Sequence, residues 1–505
     1  LKTSVLLTRF ITPLTTHAFL SVASIAFAYS STSNHIFYHE NIQGEQTLPI
    51  NSEDTTFTDP LFPEQWYFRN QGQVSSKRKI SGIPGADIAF PDNIANYPFT
   101  NQVTLAIIDS GIPLSHPDFD VEKILVNSGE QGLDEEGRDK ATNNRDDDGN
   151  GFIDDIMGWN FADNNNILQD SLGHGSHLTG LLAAKTDNAI GIAAPWRGFR
   201  ILPIRVFSGA HPSVPSGTTA AAIRYAVHRG ARVISASFGT PSFSPDIQAA
   251  VAYANDHDVL FVGAAGNFRK NLDVEHDYPS NFGFANQIVV GSSERRDLLS
   301  DFSNFGKTVD ISAPGEDVLS FALPDGYIAR SGTSQACPLV AATAAMLRSM
   351  HTSLTSPQIK SLILAAADQR SGLEGLTKSA LRLNVANALE GRMGIRFPNL
   401  NENEWTQTPV SVESKHPYRG SNNSRYSVIA PLGTKHFRIH FAKISTQSQD
   451  RVNIIDAKGH LITQISGVHE SFWSPVLDGE SAQLELQVET NTNDWGFSVD
   501  SLLVD

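Results

Sequence analysis

The sequence predicts a mixed α/β unit, a parallel sheet with helices on both faces, followed by an all-β sandwich. Three observations carry this. Apolar, β-branched runs recur at 103–108, 201–206, 233–235, 259–262 and 288–290, each short enough for a strand buried on both faces. Helical patterns lie between them, at 218–229 and 245–256, and alternation of this kind implies a parallel sheet covered on both sides. After about residue 399 the texture changes to short alternating segments at 426–429, 437–441, 452–455, 461–465, 484–488 and 497–503. Turn residues separate these at the spacing of a β-sandwich.

Taken in order, Lys2 and Arg9 precede an apolar stretch at 18–28 that ends in Ala26-Phe27-Ala28, a small-x-small cleavage pattern. Residues 1–28 are therefore expected to be a signal peptide. A membrane anchor is the alternative, but roughly eleven apolar residues fall short of the ~20 that span a bilayer. Residues 29–58 are rich in Ser, Thr and Asn and lack a helical or strand period. They read as a flexible leader or short pro-segment. The α/β unit is expected at 59–395, with Ser244 capping the helix that starts at Pro245 and two further helices at 334–350 and 357–367. The sandwich is expected at 399–505. No later segment is long and apolar enough to cross a membrane.

Composition narrows the partners. Of the 505 residues 40% are hydrophobic and 18% charged, so the chain is expected to fold. The net charge of −16 comes without a long acidic run, which disfavours nucleic-acid phosphates as a partner. The single cysteine, Cys337, excludes an intrachain disulfide, so another stabiliser is expected outside the cell.

Three short blocks carry chemistry. Asp109 follows the strand at 103–108 and precedes Ser110-Gly111, at the carboxyl end of a central strand, where open α/β sheets build their sites. His174 lies in Gly173-His174-Gly175-Ser176-His177-Leu178-Thr179-Gly180 at the start of a helix. Ser334 lies in Gly332-Thr333-Ser334-Gln335-Ala336-Cys337-Pro338, a turn entering a helix, where the free N–H groups favour developing negative charge. A hydroxyl becomes a nucleophile when an imidazole takes its proton, and a carboxylate fixes the tautomer of that imidazole. The chain supplies one of each.

These blocks, in the order Asp, His, Ser, resemble the signatures of the subtilisin-like serine proteases, and the likeness runs through roughly residues 59–392. A fourth block, Gly263-Ala264-Ala265-Gly266-Asn267, resembles the family's oxyanion-hole loop. The resemblance implies that Asn267 and the backbone N–H of Ser334 stabilise the tetrahedral intermediate. A fifth, Ser237-Phe238-Gly239, resembles the strand that pairs with the substrate backbone. Ala264, Ala265 and Gly266 are implied to line the first specificity pocket. Gln335 stands where Met is usual, Cys337 where a small residue is, and Leu178-Thr179 where Val-Ala is. His177 is implied to be a packing residue.

Calcium is the family's common stabiliser, bound by hard carboxylate and carbonyl oxygens. By motif, the resemblance implies a site built from Asp59, Asp118 and Asn188 with carbonyls of Lys185, Ile190 and Ile192, against ordinary surface turns as the alternative. A second candidate is the insertion Asp146-Asp147-Asp148-Gly149-Asn150-Gly151. Its oxygens at Asp146, Asp148 and Asn150, with Gly at position six, suit a calcium loop as well as a solvated acidic one. Residues from about 434 onward resemble CUB-like sandwiches.

The function expected is a secreted or cell-surface serine endopeptidase acting on protein or peptide substrates. A first pocket without an acidic residue among those three implies a broad or apolar preference. The rival is an inactive protein of the same fold that binds surfaces through its sandwich.

Overall fold

Leu105 and Ile107 point to one side of their strand and Ala106 and Ile108 to the other, and both sides are buried. That is the period of two expected of a strand covered on both faces. The computed structural model describes residues 57–505, apart from 76, 78, 210, 212, 398–399, 401, 419–422, 448–449 and 490–493, together with the backbone of His35–Tyr38. The expected signal peptide and the rest of the leader lie outside the described residues.

Strand Val103–Asp109 sits inside a nine-stranded sheet between Ala231–Ala236 and Phe199–Arg205, and the sheet continues through Leu260–Ala264, Gln287–Ser293 and Ile311–Pro314. These strands run parallel. Helices Ser216–His228 and Pro245–Asp256 cover the face that carries Ala106 and Ile108. Helix Thr333–Met350 covers the other face and is buried along nearly its whole length. The Ser244 hydroxyl caps Pro245–Asp256 as expected, accepting from the Ile247 N–H at 3.3 Å.

Two antiparallel sheets form the C-terminal region. One runs Thr406–Glu413, Gly496–Val504, His436–Ser445, Val468–Trp473, and the other Ser424–Ile429, Ser481–Gln487, Arg451–Asp456, Leu461–Ile465. Their inner faces bury Phe437, Phe441, Val452, Ile454, Leu484 and Phe497. Phe305 and Leu376 of the α/β unit belong to this same core, so the two regions share packing. Glu374 pairs with Arg438 at 2.6 Å and Asp301 with Arg451 at 2.5 Å across the junction.

His469 is buried in that junction, its ring stacked on Phe305 at 4.8 Å. Burial pushes its pKa down to about 4. The unfolded chain, near ~6.5, takes the proton first, so the stability this group contributes above that value is lost as pH falls towards about 4. His469→Leu is expected to lose less melting temperature than the parent between pH ~7 and ~4.5. Parallel losses in the two proteins would remove His469 from the acid response.

The leader departs from expectation. The sequence predicts no strand period there, yet His35–Tyr38 forms an antiparallel strand between Ser213–Pro215 and Phe238–Gly239. Four residues are too few to display a period, and this strand exists only because two edges flank it. Two sandwich strands, Thr406–Glu413 and Val468–Trp473, were also absent from the expected set. Both lie at the edges of their sheet, where the hydrophobic alternation is weakest.

Candidate active site

The carboxyl ends of the central strands bring the expected residues together. Asp109 ends its strand and His174 begins helix His174–Ala183. Both are buried, at 1% and 0% exposure. The Asp109 Oδ1 accepts from His174 Nδ1 at 2.8 Å and from the Ser110 N–H at 2.8 Å. This pair fixes which imidazole nitrogen carries the proton, leaving Nε2 as the basic one. Gly175 is required sterically, because a Cβ there would meet Gly111 O at 2.3 Å and Asp109 Oδ1 at 3.1 Å.

Ser334 is the second residue of Thr333–Met350. Pro338, four residues on, has no N–H to offer the Ser334 carbonyl. That carbonyl accepts instead from the Ser237 hydroxyl at 3.0 Å, and the Ser334 hydroxyl lies 3.4 Å from the Ser237 carbonyl. Ser334 is thus tied to Ser237, just before strand Phe238–Gly239. Helices His174–Ala183 and Thr333–Met350, which carry His174 and Ser334, pack against each other.

Asn267 is held by its oxygen. Its Oδ1 accepts from the Thr333 N–H at 2.8 Å and the Thr333 hydroxyl at 2.9 Å, and that hydroxyl accepts from the Gly266 N–H at 3.0 Å. The Asn267 Nδ2 is buried and has no hydrogen-bond partner among the described residues. A buried donor left open is expensive, and this one lies beside the N-terminus of helix Thr333–Met350.

Strand Phe238–Gly239, just after Ser237, pairs in register with Tyr38 and Phe37. Ala264, Ala265 and Gly266 are buried beside it, and Gly266 takes a φ of +100°. His177 is buried. Burial lowers its pKa to about 3, with the charge of His174 adding to it, and its Nε2 faces the carbonyls of Val318 and Ile328. Burial pushes the Cys337 thiol up to about 11, so it packs rather than reacts.

The first candidate metal site assembles from its three segments. Asp59 and Asp118 are buried, at 1% and 0% exposure. Asp118 Oδ1 accepts from Asn188 Nδ2 at 2.7 Å and Oδ2 from the Ile192 N–H at 3.1 Å. Asp59 accepts from the N–H groups of Asp187 and Asn188. Burial raises both carboxyl pKa values, that of Asp118 to about 6. Two buried carboxylates supported by neutral donors suit a cation. Lys185 and Ile190 engage through N–H groups, to Asp118 O at 2.8 Å and Asn188 Oδ1 at 2.8 Å.

At the second candidate, Asp146 and Asp148 are joined by Glu130, with one carboxylate oxygen of each lying within 4.8 Å of the others. Glu130 is fully buried and its Oε2 has no hydrogen-bond partner among the described residues. Burial and the neighbouring Asp148 raise its pKa. Glu130 was not anticipated, since it lies upstream of the acidic run and nothing local marks it. Asn150 stands outside this trio, its Nδ2 donating to Asp148 and Asp155 and its Oδ1 accepting from the Phe152 N–H.

A model of the subtilase family matches residues 100–390. Thermitase of Thermoactinomyces vulgaris is 37% identical over 221 residues, covering 43% of this chain and 75% of thermitase. The cell wall-associated protease of Bacillus subtilis (strain 168) is 30% identical over 329 residues, covering 64% of this chain and 32% of that protein. The chain therefore spans about a third of the length of that second relative. Among solved structures, one of the proteases from Pseudoalteromonas arctica PAMC 21717 aligns at 24% identity with a TM-score of 0.49, covering 66% of this chain and 99% of that one. The stretch matched by the family model contains Asp109, His174, Asn267 and Ser334, and on that match the chain belongs to the subtilase family.

Proposed function

We propose that this chain is a secreted serine endopeptidase that hydrolyses proteins through an acyl-enzyme. Ser334 Oγ attacks the scissile carbonyl carbon while His174 Nε2 takes its proton, and Asp109 stabilises the imidazolium that results. The oxyanion is held by Asn267 Nδ2 and the Ser334 N–H. The imidazolium then protonates the leaving amine, and water repeats the sequence to free the acid. The observation that carries this reading is the buried, open Nδ2 of Asn267. It has no purpose in the inactive surface-binding alternative, where nothing develops negative charge. A fluorophosphonate probe should label the parent at Ser334, and a correctly folded protein that takes no label would defeat the proposal.

The strand edges at Ser213–Pro215 and Phe238–Gly239 support an extended peptide substrate. Strand His35–Tyr38 pairs through its backbone with Ser213–Pro215 on one side and Phe238–Gly239 on the other, and a substrate strand would take its place. The small, apolar Ala264, Ala265 and Gly266 support a broad or apolar preference at the first pocket. Secretion rests on the signal-like start of the sequence. Among the described residues no helix is long and apolar enough to cross a membrane. The paired antiparallel sheets at the C-terminus support the CUB-like reading.

Calcium is the proposed structural cofactor, held by Asp59, Asp118 and Asn188, and at a second site by Glu130, Asp146 and Asp148. Ligands drawn from separated segments meet only in the folded chain, so binding adds about RT ln(1 + [L]/Kd), or ~4 kcal/mol at a thousandfold excess over Kd. EDTA should lower the melting temperature while initial activity at low temperature survives, because the triad uses no metal. Asp118→Ala should mimic the first part of that loss. A melting temperature identical in millimolar calcium and in EDTA would rule out both sites.

A further inference from the structure

We infer that Asn304 is a positioning residue for the oxyanion donor Asn267, and that the C-terminal sandwich braces it. This rests on the reading of Asn267 proposed above. The loop that carries Asn267 leaves strand Leu260–Ala264 and turns twice through the left-handed region, at Gly266 with φ +100° and at Arg269 with φ +56°. A non-glycine residue there is strained, so the loop depends on outside support.

Asn304 supplies it on both sides of Asn267. It is fully buried. Its Nδ2 donates to Ala265 O at 2.8 Å and its backbone N–H to Gly266 O at 2.8 Å. Its Oδ1 accepts from the N–H groups of Phe268 at 3.0 Å and Lys270 at 2.9 Å. One carboxamide thereby spans the loop two residues before Asn267 and three after. The neighbouring backbone adds Arg269 N–H to Phe302 O at 3.0 Å, Phe305 N–H to Lys270 O at 2.9 Å and Leu272 N–H to Phe305 O at 2.8 Å.

Two routes carry this support into the sandwich. The next residue, Phe305, is buried in the sandwich core with its ring on His469. Arg269, two residues past Asn267, pairs with Asp301 at 3.6 Å, and Asp301 pairs with Arg451 on the sandwich at 2.5 Å. The Arg269 side chain also lies near Gly467, where an added Cβ would sit 3.6 Å from it. An oxyanion donor works only within a narrow range of the developing charge, and a shift of about 1 Å is expensive in rate. The sandwich therefore acts on kcat through the placement of Asn267 Nδ2.

The test is a double-mutant cycle on a peptide p-nitroanilide, reading kcat and KM separately. Asn304→Ala should lower kcat on the order of tenfold with KM little changed. Arg451→Gln, which breaks the more distant brace, should lower kcat by a smaller factor and serves if Asn304→Ala does not fold. In an Asn267→Ala background neither substitution should slow kcat further, because the donor they position is gone. If either slows kcat by the same factor in both backgrounds, or acts on KM alone, it works elsewhere and the inference falls while the oxyanion reading stands. If Asn267→Ala itself leaves kcat unchanged, the oxyanion reading falls and takes this inference with it.

Discussion

Purified Ser334→Ala protein is expected to lose hydrolysis of casein by about six orders of magnitude in kcat while keeping the melting temperature of the parent. The magnitude follows from removing a member of a unit whose parts act together, which leaves only the acceleration from the oxyanion hole and binding. The fold should be little affected, because the Ser334 carbonyl, which the variant keeps, still accepts from the Ser237 hydroxyl. Residual hydrolysis close to the parent's would move the nucleophile to another residue. Cys337 is not an available substitute, since its thiol is buried and held protonated against Val262 O and Ser235.

Asn267→Leu should lower kcat by roughly 10²–10³, equivalent to about 2.7–4 kcal/mol of transition-state stabilisation, with little change in KM. Leucine has nearly the shape of asparagine, so packing is preserved while the Nδ2 donor disappears. The Thr333 N–H and hydroxyl lose their acceptor as well, and a fall in melting temperature would report that separate effect. An effect confined to KM would mean that Asn267 binds the substrate in its ground state and is not an oxyanion donor.

Much of this was legible before any fold. The runs at 103–108 and 288–290 are apolar on both faces, which only a doubly covered strand tolerates, and the structure extends them to Val103–Asp109 and Gln287–Ser293. Helix Pro245–Asp256 was readable to the residue, because Ser244 and Pro245 mark its start by local chemistry. The candidate metal ligands divide by the same rule. Asp146 and Asp148 lie in one short run and announce themselves, while Glu130 is contributed by a separate turn, Ser128–Glu130, that acquires meaning only when the insertion folds back on it.

The sequence by itself determined the α/β class, the order and identity of Asp109, His174 and Ser334, and the oxygen-rich segments, because each is encoded within a few consecutive residues. Only the tertiary structure decided three other things. It set His35–Tyr38 between two edge strands, brought Glu130 to Asp146 and Asp148, and clamped the Asn267 loop between Asn304 and the sandwich. The physical reason is common to all three. Each is a contact between segments far apart in the chain, whose geometry is fixed by the burial and backbone pairing of the elements that carry them and leaves no periodic or local trace in the sequence.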